Sequence, residues 1–78
     1  MISAEQIRAA RALLGMSADS LATRAGVGLA TIKRFEASEG SPPSRGGTLR
    51  NVQAALERAG IEFIGDPISS PGVRLRRT

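Results

Sequence analysis

The chain has 78 residues, no cysteine, no histidine and a net charge of +4 from eleven basic and seven acidic residues. Without cysteine or histidine it lacks disulfides, the usual zinc ligands and the commonest general base, so we expect no enzyme, cofactor or metal site. The modest basic excess is compatible with a nucleic-acid partner but does not prove one. The sequence has no leader-like segment and no membrane-length apolar segment, so a cytoplasmic protein is expected.

The first helix is predicted over residues 3–14, where apolar residues recur with the helical period. Ser3 and Gln6 have the spacing of a capping box, in which each side chain accepts from the backbone N–H of the other residue. Gly15 gives the stop signal, because glycine readily adopts the left-handed conformation that commonly ends a helix.

Two short helices, over residues 18–25 and 29–37, are predicted to be joined by one tight turn. Ser17 is a favourable N-cap for the first of them, because its hydroxyl can accept from an orphan backbone N–H. Gly26 ends that helix, and the apolar Val27 follows as a wedge. A helix-turn-helix needs small residues where its helices cross, a glycine in the turn and an apolar residue after it. This stretch therefore predicts that motif.

The remaining elements are a loop, a fourth helix and a hairpin. Residues 38–47 are rich in turn formers and predict a surface loop, after which Thr48 is expected to cap a helix over residues 48–59. After this helix, apolar and polar residues alternate in two short stretches. This alternation predicts an antiparallel β-hairpin with strands at 61–64 and 73–76. The predicted fold class is mainly α, with four helices and a small C-terminal β-hairpin forming one domain over the whole chain.

A family resemblance adds to this pattern. The stretch AARALLGMSADSLATRAGVGLATIKRFE, with the later TLRNVQAALERAGI, resembles the Cro/CI-like (XRE-type) helix-turn-helix family of transcriptional regulators. The resemblance covers roughly residues 4–60 and is closest in form to short stand-alone members that end in a hairpin. It implies that helix 29–37 enters the major groove of DNA. Where the family usually has serine or threonine, this chain has Gly28, which lacks a capping and phosphate-contacting hydroxyl.

The candidate DNA-binding residues lie at the starts of the two motif helices, on the outer face of the second and in the following loop. They are Ser17, Ala18, Gly28, Leu29, Ala30, Thr31, Lys33, Arg34 and Arg45. Arg34 can form a bidentate pair with guanine, and Leu29 or Ala30 can contact a thymine methyl group. Lys33 would contact a phosphate. The alternative for Lys33 and Arg34 is a solvated helix face without a ligand.

Phosphate contacts are expected at two further places. The resemblance implies that the helix start at Ser17 and Ala18 lies against the sugar–phosphate backbone, and exposed N–H groups at a helix start do bind phosphate. Ser17 could also act as a cap alone. Arg45 lies in the polar loop after helix 29–37, the predicted reading helix that would enter the major groove. There it could contact a phosphate or serve only as a solubilising charge.

Arg11 and Glu36 are interpreted as a structural ion pair. The resemblance implies the pairing, since family members often have an arginine and a glutamate at the matching positions. Glu36 falls on the inner side of helix 29–37, so the pair would orient the reading helix. Three further arginines, Arg74, Arg76 and Arg77, could extend a DNA-binding surface or form the solvent face of an edge strand; we favour the strand.

The function expected from these features is a sequence-specific regulator of double-stranded DNA, most simply a repressor bound to its operator. A domain of this size reads few base pairs, so a homodimer on a two-fold-related site is expected, without a membrane role and at the nucleoid. The alternative is an antitoxin or adaptor that binds a protein partner through the edge of the C-terminal hairpin.

Overall fold

A computed structural model describes residues 1–43 and 47–77 of the chain. In this part of the chain four helices are followed by a two-stranded antiparallel sheet, which confirms the predicted fold class. The elements are α1 (Ala4–Leu14), α2 (Ala18–Ala25), α3 (Leu29–Ala37), α4 (Thr48–Arg58), β1 (Ile61–Ile64) and β2 (Gly72–Leu75).

The start of α4 differs from the expectation. Thr48 was expected to be the N-cap, but it is the first helical residue, and Gly47 occupies the cap position with φ of +76°. A residue with a Cβ enters this left-handed region at a steric cost that glycine avoids, so the backbone geometry selects Gly47 over Thr48. The second strand also begins one residue earlier than predicted, because Gly72 pairs with Ile64.

The core is formed by apolar side chains from all four helices. α2 packs against α3 and α4, while α1 packs against α3 and against strand β2. The largest fully buried apolar residues are Ile7, Leu21, Ile32, Phe35, Leu49, Val52 and Leu56. Two of them belong to α3, so this helix is fixed to the rest of the domain along its inner side.

The hairpin covers the core with one face and leaves its charged face in solvent. Val73 and Leu75 pack against the core, as their alternation predicts. On the outer face the Glu62 carboxylate pairs with Arg74 at 2.6 Å and with Arg76 at 2.7 Å. The contact with Arg74 supports its interpretation as a solvent-facing strand residue. Arg76 lies one residue beyond β2, because the strand ends at Leu75 and not at the predicted residue 76.

Candidate nucleic-acid interface

A three-residue turn sets the direction of α3. Gly26 has φ of +70° and caps α2, with its N–H donating to the carbonyl oxygens of Ala22 and Thr23. The N–H of Val27 donates to the same Ala22 oxygen at 3.0 Å, and its side chain packs against the core. Gly28 then precedes the first turn of α3. The turn is thus fixed by backbone hydrogen bonds as well as by an apolar contact.

The outer face of α3 carries one small and two cationic side chains. Ala30, Lys33 and Arg34 are exposed, whereas Ile32 and Phe35 on the inner face are buried. The guanidinium carbon of Arg34 lies 5.7 Å from the centroid of the Phe35 ring, within the range of a cation–π interaction. This contact orients Arg34 without burying it, so its N–H groups remain available to a ligand.

The first turn of α3 is less exposed than its middle. Leu29 is half-buried and packs against the core, and Thr31 is also half-buried. Only part of the Leu29 side chain is therefore free for an apolar contact with a base. Gly28 gives no side-chain cap, and its extended backbone has φ of −73° and ψ of 150°.

The start of α2 is capped by its own serine. The Ser17 hydroxyl accepts from the N–H of Ser20 at 3.0 Å, and Ser17 itself is exposed. Ala18 is half-buried at the edge of the core. The hydroxyl is thus used as a cap, while N–H groups of the first turn are available to an anion. Arg45 lies outside the described residues, so its phosphate contact stays a prediction.

Arg11 and Glu36 form a bidentate ion pair between α1 and α3. Arg11 Nε lies 2.6 Å from Glu36 Oε2, and Arg11 Nη2 lies 2.7 Å from Glu36 Oε1. Both side chains are largely shielded, with 23% and 12% of their surface exposed. The hydrogen bond to the Glu36 carboxylate raises the pKa of Arg11 above its ordinary value. Arg11 Nη1 also donates to the carbonyl of Met16, which ties the same guanidinium to the chain before α2.

A second arginine of α1 contacts the same glutamate, and sequence reasoning missed it. Arg8 Nη1 donates to the backbone carbonyl oxygen of Glu36, in the last turn of α3. The positive charge is favourable there, because carbonyl groups at a helix C-terminus lack intrahelical donors. The available signal was the three-residue spacing of Arg8 and Arg11, which puts both on neighbouring positions of one helix face.

Residues 1–43 and 47–77 lack two features that are typical of other protein classes. No cluster of three carboxylate, histidine or cysteine side chains there could hold a metal ion. No helix in the same residues is long and apolar enough to cross a membrane.

The match to known families falls on this interface. A helix-turn-helix family model matches residues 7–45, half of the chain, and includes all of α2 and α3. No curated protein matches the chain. The turn geometry, the buried inner face of α3 and the matched residues agree, and the chain therefore belongs to the helix-turn-helix family of XRE or Cro/CI type, a family of DNA-binding regulatory domains.

Proposed function

We propose that this protein is a sequence-specific regulator that binds double-stranded DNA as a homodimer and represses transcription by occupying an operator. The observation that carries the proposal is that α3 is held firmly on the domain with its cationic face exposed. Its inner face is buried, its C-terminal half is tied to α1 through Glu36, and its outer face presents Lys33 and Arg34 to solvent. A helix fixed in this way can enter the major groove without reorganising.

Contacts to phosphate and contacts to bases have different roles in this proposal. Lys33, Arg45 and the N-terminal turn of α2 would bind phosphates and supply most of the affinity. Base preference would come from Leu29, Ala30, Thr31 and Arg34. Arg34 is the main reader, because a guanidinium can donate two hydrogen bonds to the major-groove edge of guanine. Such a regulator would act in the cytoplasm at the nucleoid.

Selection of bound sequences from random duplex DNA tests the function and the symmetry together. The expected result is a two-fold-related site whose half-sites are centred about 10 base pairs apart, one helical turn of DNA. Arg34→Ala provides the matched control, and should lose preference at one position per half-site while the other positions persist. No sequence enrichment would overturn the regulator, and enrichment of a single asymmetric site would overturn the homodimer.

The alternative function is an antitoxin or adaptor whose main partner is a protein. The observation in its favour is apolar exposure at the hairpin tip, where Ile64 is 40% and Ile68 is 64% exposed. A purified protein that binds random and selected DNA equally well would favour this alternative. Saturable binding with a clear base preference would favour the regulator.

A further inference from the structure

The first turn of α3 offers very few groups that could hydrogen-bond to the edge of a base. From position 28 its residues are glycine, leucine, alanine and threonine, and Thr31, which has the only polar side chain of the four, is half-buried. The Gly28 carbonyl already accepts from the N–H groups of Thr31 at 3.0 Å and Ile32 at 3.3 Å. Because the peptide dipoles of a helix run along its axis, side chains form the lateral surface of this turn.

Ala30 is the exposed side chain of this turn. Its chain neighbours Leu29 and Thr31 are half-buried, and Leu29 packs against the core. Ala30 precedes Lys33 by three residues and Arg34 by four, so these three side chains adjoin on one helix face. The methyl group of Ala30 therefore lies next to the two cations of the outer face, and it has neither a donor nor an acceptor.

An apolar side chain can recognise only one kind of group in the major groove. Among the four standard bases, only thymine presents an apolar group there, which is its C5-methyl group. A contact between Ala30 and this methyl group would not distinguish O4 of thymine from the amino group of cytosine. 5-Methylcytosine has the same methyl group at the same ring position, so either base could provide the contact.

We propose that the first turn of α3 recognises a pyrimidine C5-methyl group, so that 5-methylcytosine can replace thymine in the operator and cytosine methylation strengthens binding. The inference rests on the proposed function, since it needs α3 in the major groove. It adds the chemical group that the site recognises and a means of regulation. Methylation of a cytosine at this position would strengthen a weak site without a change of sequence.

The spacing of Ala30 and Arg34 predicts where the methyl group lies. Four residues of α-helix rise by about 6 Å, and successive base pairs of DNA are about 3.4 Å apart, so the methyl group should lie within about two base pairs of the guanine that Arg34 reads. The guanidinium carbon of Arg34 lies 5.7 Å from the centroid of the Phe35 ring, which restricts the positions that this side chain can adopt.

Competition binding to four duplexes tests the inference. Each is the site selected from random DNA, with thymine, uracil, cytosine or 5-methylcytosine at the same position of both half-sites and the matching purine opposite. Uracil lacks only the methyl group of thymine, so we expect it to bind roughly fourfold more weakly per half-site, the effect of exposing one buried carbon. 5-Methylcytosine should exceed cytosine by the same factor. Equal binding of thymine and uracil, or of cytosine and 5-methylcytosine, would overturn the inference.

Ala30→Gly tests whether Ala30 makes the methyl contact. Without its Cβ, the ratio of affinities for the thymine and uracil duplexes should fall toward one. Both affinities are measured on the same protein, so a smaller folded fraction affects them equally and cancels from the ratio. Ala37→Gly makes the same substitution at the exposed last residue of α3 and should keep the wild-type ratio. A wild-type ratio in Ala30→Gly, or an equal loss in both variants, would overturn the inference.

Failure of the methyl contact and failure of the proposed function can be told apart. An enriched site that depends on Arg34 but has no thymine within two base pairs of its guanine would overturn the methyl contact only. The same holds for an enriched site that binds equally well with uracil. No enriched sequence at all would overturn the proposed regulator and the methyl contact together. A preference for both methylated pyrimidines that disappears in Ala30→Gly would support both.

Discussion

The side-chain Nε2 of Gln6 lies 2.9 Å from the carbonyl oxygen of Gly72, so the first turn of α1 is hydrogen-bonded to the second strand. The same Nε2 donates to Ile64 at 3.3 Å, and Gln6 Oε1 accepts from the N–H of Ser3 at 3.0 Å. Gln6 is only 2% exposed, and both of its polar side-chain atoms are hydrogen-bonded. A buried amide is tolerated under these conditions because no donor or acceptor is left without a partner.

Gln6→Glu should destabilise the protein at neutral pH. The carboxylate can still accept from Ser3, but it loses both N–H donors and places a negative charge against the carbonyl oxygens of Ile64 and Gly72. We expect a loss of about 1–3 kcal/mol in the free energy of unfolding, measured by urea titration at pH 7. Asn51→Asp makes the same chemical change on an exposed residue of α4 and should have little effect. A Gln6→Glu protein as stable as wild type would show that the amide does not hold the hairpin.

The local part of the fold could be predicted from sequence, and Gln6 shows where that ends. Its spacing from Ser3 predicts the capping box, because the four residues involved are adjacent in the chain. Its second role needs acceptors on the hairpin tens of residues away, which no local pattern contains. The prediction of the N-cap of α4 was wrong for a different reason. Thr48 has the better capping side chain, but the backbone at position 47 is left-handed and favours glycine there.

The candidate site was likewise predictable where local periodicity decides and not where tertiary packing decides. Helical periodicity assigns Ala30, Lys33 and Arg34 to the outer face of α3, and these residues are exposed. It does not show that Leu29 packs partly against the core, which depends on how α3 meets the other helices. The contact of Arg8 with Glu36 was missed because its acceptor is a backbone carbonyl, a group that every residue has.

Arg11→Ala should destabilise the domain and weaken specific DNA binding together. The change leaves the shielded Glu36 carboxylate without its bidentate partner and frees the Met16 carbonyl. Because the pair is only partly buried, we expect about 1.5–3 kcal/mol, the range for hydrogen bonds to charged groups. Thermal or urea unfolding measures the loss. Arg8→Ala is the control on the same helix and should cost less than about 1 kcal/mol, since Arg8 is exposed. Equal losses would mean that the bidentate geometry has no special role.

Arg34→Ala should relax base preference at one position of each half-site. A bidentate arginine–guanine pair discriminates by about 1–3 kcal/mol, which competition binding with single-base variants of the selected site measures. Lys33→Ala is the matched control from the same exposed face. It should weaken binding to all sequences about equally and lower the slope of log binding constant against log salt concentration by roughly one unit. If Arg34→Ala also weakens every sequence equally, Arg34 contacts phosphate and the base assignment is wrong.

The hairpin should lose stability in acid. The hydrogen bond from Arg74 lowers the pKa of Glu62, and N–H donation from Ser69 and Ile68 lowers the pKa of Asp66. A carboxyl whose pKa is lower in the folded protein binds fewer protons there than in the unfolded chain. Its contribution is therefore complete above its ordinary pKa and is lost as the pH falls through the lowered value.

Thermal melting between pH 5 and pH 2 measures this loss, which should begin near pH 4, the ordinary range of carboxyl groups. The double variant Glu62→Gln, Asp66→Asn should melt lower than wild type at pH 5, and its melting temperature should fall less steeply in acid. If the two proteins show the same pH dependence, other carboxylates cause the acid loss.

Gly28→Ser should stabilise α3 and strengthen DNA binding without changing base preference. Residue 28 has φ of −73°, which any residue adopts, and a Cβ built there meets no atom within 4 Å. The serine hydroxyl can accept from an N–H of the first turn, and the substitution reduces the conformational freedom of the unfolded chain. We expect a gain of about 0.5–1 kcal/mol in urea unfolding. Gly28→Ala is the control, because it restricts the unfolded chain but provides no cap, and alanine is a poor N-cap. If serine and alanine have the same effect, the hydroxyl does not cap α3. If only stability rises and affinity for all sequences stays the same, the residue does not face a phosphate.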